Sequence, residues 1–269
     1  RQIIGRPFNS QDKYAEKYKG ISICFNILTK SFAGRYVNFG VFELYGDKAL
    51  EIVLNTSFEM MLCVPFDDIL MYPKLSKTFY EWLDTFTNGH MMALHNMDSN
   101  AFLYIMRALA EGIQHFPHGS QCAAACSAID HICTFVIHQS AKQKPKRHWL
   151  LSYLTQYPNI LPYLFTANFS AVLFEESQNQ WSLSRPLLCL ILLNPDYWEQ
   201  YTRNLVLYQL LERRDVLAKA LTSLMQDVEF NLISKNRDRF TQNLSTFKRE
   251  LTNDNVILVA PPMDMKMTM

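Results

Sequence analysis

The sequence predicts an all-α chain built as a solenoid of stacked antiparallel helix pairs. Three observations carry that expectation. Apolar residues recur at spacings of three and four through much of the 269 residues, the stripe of an amphipathic helix. No glycine follows Gly119, so the positive-φ turns on which hairpins and phosphate loops lean lack their usual residue in the second half. Helix start and stop signals suit pairs covering roughly forty residues, the period of HEAT-type repeats. Similarity between the pairs is weak, so the repeat reading rests on geometry.

Taken in order, Tyr14, Tyr18, Ile21, Phe25, Leu28 and Phe32 form the first stripe, with Gly34 as its expected stop. Asp47 opens a helix that Pro65 ends. Asp67 and Pro73 begin the next, which should end at Asn88 and Gly89. Asp98 and Ser99 precede the stripe of Phe102, Ile105, Met106, Leu109, Ile113 and Phe116. Ser120 opens a helix running to about Gln139. Further helices are expected at roughly 148–156, 159–176, 183–194, 196–211, 214–233 and 236–250. Side chains such as Asp, Asn, Ser and Thr favour these starts because they accept the free N–H groups of a first turn.

Two segments break the helical texture. Lys142 to His148 is basic and contains Pro145. It reads either as a nuclear-localisation or phosphate-binding patch or as a solvated inter-helix loop. From Thr252 the chain ends in a proline pair and a Met-rich run, Met263, Met265, Met267 and Met269. The expected division is therefore helical repeats over 1–251 and a disordered tail over 252–269.

Hydrophobic residues make up 49% and charged residues 19%, the balance of a folded soluble protein. A net charge of +1 gives no overall pull toward nucleic acid or an anionic membrane. The six cysteines show no disulfide-scaffold spacing, which suits a reducing compartment. A start at Arg1 within a helical pattern, without a signal-like stretch, reads as a piece of a longer chain on no secretory route. On that reading the sequons at Asn55, Asn168 and Asn243 are chance matches. His148 to Phe174 lacks acidic and basic residues other than its histidine. Pro158 and Pro162 interrupt it, and Gln156, Asn159 and Asn168 would each need a partner in lipid, so it reads as buried helix and no membrane insertion is expected.

The sequence offers no catalytic constellation. Cys122, Cys126, His131 and Cys133 resemble a metal cluster in composition. Yet Cys122 and Cys133 are eleven residues apart on one helix, ~16 Å along its axis, too far to close on one ion, and small hydrophobes in a helix interface explain them. All seven histidines fall between His90 and His148 without a spacing that nominates a thiolate, base and orienting group. Gly40 and Gly46 imitate a phosphate loop, but their gap is one residue too long and Asp47 would repel the anion. Asp67–Asp68 and Glu175–Glu176 sit at helix boundaries, where end-capping explains them. The chain is therefore expected to be no enzyme and to hold neither cofactor nor metal.

Three stretches suggest a kinship: Tyr36 to Leu50, Asn179 to Leu193 and Asn231 to Arg249. They resemble the C-terminal end of the exportin-seven family of nuclear transport receptors, in the importin-β superfamily. The stretch from Lys235 to Phe247 is the most specific, and the likeness runs to about Glu250. The segment at 142–148 looks shortened, and the tail after Leu251 does not match. The resemblance implies a HEAT-repeat superhelix shuttling between nucleus and cytoplasm. It would carry folded protein cargo with Ran-GTP past nucleoporins, without binding nucleic acid. This stretch would be the C-terminal arch, the main Ran-binding repeats lying elsewhere. The competing reading of the residues alone is a helical scaffold or adaptor unrelated to transport.

Outside the 142–148 segment, the only dense basic surface is Arg237, Arg239, Lys248 and Arg249. It reads either as a protein-contact surface or as a solvated capping face paired with Asp238 and Glu250.

Overall fold

The computed structural model of the protein describes residues 12–33, 37, 39–141, 149–175, 179–253 and 258–260. Among these residues the regular structure is helical and no strand occurs. A wide π-turn at Tyr14–Tyr18 runs into α1 (Lys19–Ala33), followed by the short α2 (Phe39–Leu44) and α3 (Ala49–Leu62). Next come α4 (Phe66–Met71), α5 (Pro73–Gly89) and a 3-10 segment at Met91–Asn96. The middle of the chain is α6 (Ser99–His115), α7 (Ser120–Ala141), α8 (Trp149–Gln156) and α9 (Ile160–Phe174). It closes with α10 (Gln180–Leu193), α11 (Pro195–Tyr208), α12 (Leu211–Leu224) and α13 (Ser234–Asn253).

The start signals act as their chemistry requires. Asp47 accepts the Ala49 N–H at 2.8 Å, Asp98 accepts that of Ala101 at 2.8 Å, and Asn194 accepts that of Tyr197 at 3.3 Å. Each satisfies a donor the helix itself cannot. Proline opens α5 and α11, where its missing N–H is no loss. Gly34, the expected stop of α1, lies outside the described residues.

The helices stack in two layers. In one, α1 packs on α5, α5 on α7, α7 on α10, and α10 on α13. In the other, α3 meets α6 and α6 meets α9, while α6–α7, α9–α10 and α12–α13 pair across the layers. Each element leans chiefly on its neighbours in the stack, the quasi-one-dimensional pattern of a helical-repeat solenoid. The stack advances from Pro73 to Ser120, Gln180 and Ser234, steps of 47, 60 and 54 residues. The 60- and 54-residue steps exceed the expected forty because they take in α8 and α11 besides the paired helices.

Tyrosines tie neighbouring pairs together. Tyr80 on α5 donates to the Ala108 carbonyl on α6 at 2.8 Å, and Tyr153 on α8 donates to that of Met97 at 2.7 Å. The Tyr80 ring fits because residue 112 is glycine: a Cβ there would lie 2.4 Å from a ring carbon. Helix α7 is long and apolar enough to cross a membrane by length and composition. In the fold, α5 and α10 flank it and α6 packs on it as well.

One helix is shorter than its pattern predicts. The stripe ending at Val228 suggests helix over 214–233, but α12 stops at Leu224. Asn243 on α13 donates to the carbonyls of Leu224 and Gln226 at 3.1 and 2.8 Å, taking over acceptors of the last turn. Asp227 turns the chain with φ +56°. Asn236, 5% exposed, then holds the loop by accepting the Glu229 N–H and donating to the carbonyls of Glu229 and Asn231. Asp227 thus takes the left-handed position a glycine usually fills, and two asparagine side chains from the following helix supply the hydrogen bonds that hold it.

Candidate protein-interaction surface

The cysteine stripe is structural in its surroundings. Cys122, Cys126 and Cys133 are buried on α7. His131 points elsewhere, with Nδ1 3.5 Å from Asp84 and 3.4 Å from Thr87 on α5. Burial pushes the thiols of Cys126, Cys133 and Cys189 up, away from the thiolate a nucleophile needs. The Cys122 thiol is held down by the hydrogen bond of Cys126 against its own burial. Among the described residues, no group of three or more His, Cys, Asp or Glu is placed to hold a metal ion.

The four basic residues of the candidate surface on α13 do not share one environment. Arg237 turns inward. Its guanidinium donates to both oxygens of Asp130 on α7, at 2.7 and 3.0 Å, to Thr134 at 2.8 Å, and to the Leu232 carbonyl at 3.2 Å. The same carboxylate accepts the Cys189 thiol of α10 at 3.0 Å. Arg237 and Asp130 keep only 12% and 20% of their side-chain surface in solvent, so this is a largely desolvated, charge-assisted pair, one guanidinium nitrogen meeting both carboxylate oxygens, joining α7 and α13 beside α10. Lys248 donates to the Glu175 carbonyl after α9, at 3.1 Å. Arg239 is exposed and lies 3.9 Å from Asp227, and Arg249 is exposed. Asp238 pairs with Arg185 of α10 at 2.9 Å.

The exposed cations of α13 are therefore Lys235, Arg239 and Arg249, with Lys248 half-buried. An exposed aromatic stands near the same end: Trp181, 64% exposed, carries the Arg185 guanidinium 4.8 Å from its ring centroid. Trp and Arg so arranged are the residue types that anchor protein interfaces. Trp181 lies six residues before the apolar run Leu187–Leu193. Its exposure and its pairing with Arg185 become visible only once α10 and α13 are packed.

At the opposite end, α1 shows Ile23 and Ile27, 51% and 58% exposed. Nearby in sequence, Leu44, Tyr45 and Ile52 are also largely exposed, at 85%, 86% and 61%. The opposite face of α1 is buried through Tyr18, Ile21 and Phe25, the last edge-on to Phe79 of α5 at 5.8 Å. The basic 142–148 segment and the Met-rich run at 263–269 lie outside the described residues. Residues 258–260 return to the α11–α12 corner, where Val259 exchanges two 2.9 Å hydrogen bonds with the Gln209 side chain.

Comparison with known proteins adds a kinship to this geometry. No family model matches the chain, and no solved structure matches it. Exportin-7-B of Xenopus laevis is 39% identical over 251 residues, 90% of this chain and 23% of that protein. Ran-binding protein 17 of Homo sapiens is 39% identical over 263 residues, 93% of this chain and 24% of that protein. Ran-binding protein 16 of Drosophila melanogaster is 35% identical over 264 residues, 94% and 24% respectively. The chain spans about a quarter of the length of the curated relatives it matches.

Proposed function

We infer function from the premise that this chain is homologous, over nearly its whole length, to part of the receptors named exportin-7 and Ran-binding proteins 16 and 17. On that reading it is a segment of a nuclear export receptor that carries folded protein cargo with Ran-GTP through the nuclear pore. It shuttles between nucleus and cytoplasm and meets nucleoporins on the way. Its own share is the C-terminal arch, a stretch of solenoid that presents surface and contributes no chemistry.

The observation that carries the reading is sustained identity along a two-layer helical stack. A solenoid offers extended surfaces suited to large partners. The division into repeats up to about residue 251 and a tail beyond it belongs to the same proposal. Arg239, Lys248 and Arg249 remain the proposed contact surface, with Trp181 beside them. Arg237 serves that surface by fixing α13 against α7 and is not itself a contact.

The test is a graft. This segment replaces the aligned stretch of Exportin-7-B, and the chimaera is assayed for cargo binding with Ran-GTP or Ran-GDP. Nucleotide-selective cargo binding by the chimaera, together with weak Ran-GTP binding by the isolated segment, is the expected result. A chimaera that folds and binds Ran-GTP but never cargo would favour an unrelated scaffold. Tight Ran-GTP binding by the segment alone would show that it is not the C-terminal arch.

A further inference from the structure

Three tyrosines and a buried carboxylate converge at the N-terminal end of the stack, away from the basic face of α13. Asp68, on α4, is 7% exposed, yet it is ionisable and must be satisfied. One oxygen accepts Lys13 Nζ at 2.8 Å, and the other accepts a short hydrogen bond from the Tyr18 hydroxyl. The Lys13 ammonium also stands 5.9 Å from the ring centroid of Tyr18 and 6.0 Å from that of Tyr72. Tyr72 packs against Tyr18 at 5.3 Å and against Tyr14 at 6.1 Å. Lys74 lies over the ring of Tyr14 at 5.9 Å.

An anionic floor with aromatic walls is the chemistry that recognises an ammonium head. The carboxylate supplies charge and an acceptor, and the ring faces supply their negative quadrupole. The occupant is a side chain and not part of the wall. Lys13 keeps 36% of its side-chain surface in solvent, against 10% for Asp68. Its stem therefore marks the approach from solvent to a carboxylate that is itself largely buried. Lys13 also leads into the π-turn at Tyr14–Tyr18, whose closing bond runs from the Lys19 N–H to the Tyr14 carbonyl. That is a less stable arrangement than regular α-helix and a common accompaniment of functional sites.

We propose that Asp68 with Tyr14, Tyr18 and Tyr72 forms a recognition site for a lysine-type ammonium. Lys13 fills it in cis, and a lysine or methyl-lysine side chain of another polypeptide competes for it. The ligand class is an alkylammonium, because a neutral group of the same shape would leave the buried Asp68 carboxylate with the Tyr18 hydrogen bond but without the cation that Lys13 supplies.

The probes are tetramethylammonium, N-acetyl-lysine methylamide and neutral neopentyl alcohol, titrated against the full chain while tyrosine ring signals are followed by NMR. Lys13→Ala should bind both cations saturably, at least tenfold more tightly than the parent chain, and should ignore the alcohol. Adding Asp68→Asn should weaken that binding at least tenfold. Equal cation binding with and without Lys13, indifference to Asp68→Asn, or an equal response to the alcohol would each overturn the proposal. Should Lys13→Ala fail to fold, Lys13→Gln retains most of the stem without the charge. Its thermal midpoint should then rise with tetramethylammonium and not with the alcohol, and no rise would sink the idea.

Discussion

Replacing Arg237 with Met tests whether α13 is anchored through the stack or merely laid on it. Methionine keeps most of the stem and removes the guanidinium, so Asp130 retains only the Cys189 thiol among the donors described above. Breaking a buried pair by removing one partner costs about 3–5 kcal/mol. With 12% and 20% of the two side chains still in solvent, the lower end, about 3 kcal/mol, is the expected loss. A chain of this size shifts by roughly 2–4 °C per kcal/mol, so a cooperative transition should fall by about 6–12 °C. In a solenoid the loss need not be global, because terminal repeats can open first. Amide exchange should therefore accelerate most in α13, and the urea midpoint should be measured alongside it. Adding Asp130→Asn should cost less than it does alone, since that charge no longer has a partner to desert. A loss under about 1 kcal/mol, or strict additivity of the two changes, would refute the anchoring argument.

Glycine positions offer a contrast within one experiment. Gly112→Ala should destabilise by about 1–3 kcal/mol, because the new methyl overlaps the Tyr80 ring at 2.4 Å. Gly20→Ala meets nothing within 4 Å and should stabilise by up to about 1 kcal/mol; urea melts of both variants check the signs. In native protein a maleimide should modify exposed Cys24 quickly and half-buried Cys63 more slowly, leaving Cys122, Cys126, Cys133 and Cys189 for the unfolded chain. Mass spectrometry of timed quenches would expose an error in the packing around α7. Finally, burial alone would push the Asp68 carboxyl up, but hydrogen bonds from Lys13 and Tyr18 outweigh it and hold the group below the ordinary carboxylate range. A folded value below the unfolded one means a stabilising contribution present above about pH 4 and lost as pH falls through the folded value. Asp68→Asn should remove that part of the acid dependence of the urea midpoint.

Helix identity was largely legible because its determinants are local. Asp98, Asn194 and Pro195 announce helix starts through groups within one turn, and the structure places starts there. The end of α12 was not legible. Its stopping residues, Asn236 and Asn243, belong to the following helix and act through folded contacts. Both α8 and α11 were legible as helices, at 148–156 and 196–211, but the apolar spacing does not say that each falls between the members of a stacked pair. Arg237 shows the same limit at the candidate surface. Its partner Asp130 lies 107 residues away, and nothing in the basic run around α13 distinguishes the arginine that turns inward from those that face water. Trp181 carries a parallel lesson: it sits beside an apolar run, yet the packed helix leaves it outside.

The Gln209 side chain, which exchanges two hydrogen bonds with Val259 and also donates to the Leu205 carbonyl, fixes a load path. Tension applied beyond residue 260 reaches the rest of the chain first at the corner between α11 and α12, before it can be felt at the end of α13. Arg214 braces that corner, donating to the carbonyls of Leu207 and Gln209 at 2.6 and 3.0 Å. Both bonds to Val259 lie on one short amide, so they share the strain and should rupture together, as a single brittle rivet. After that rupture the pull passes to α13 and its grip on α7.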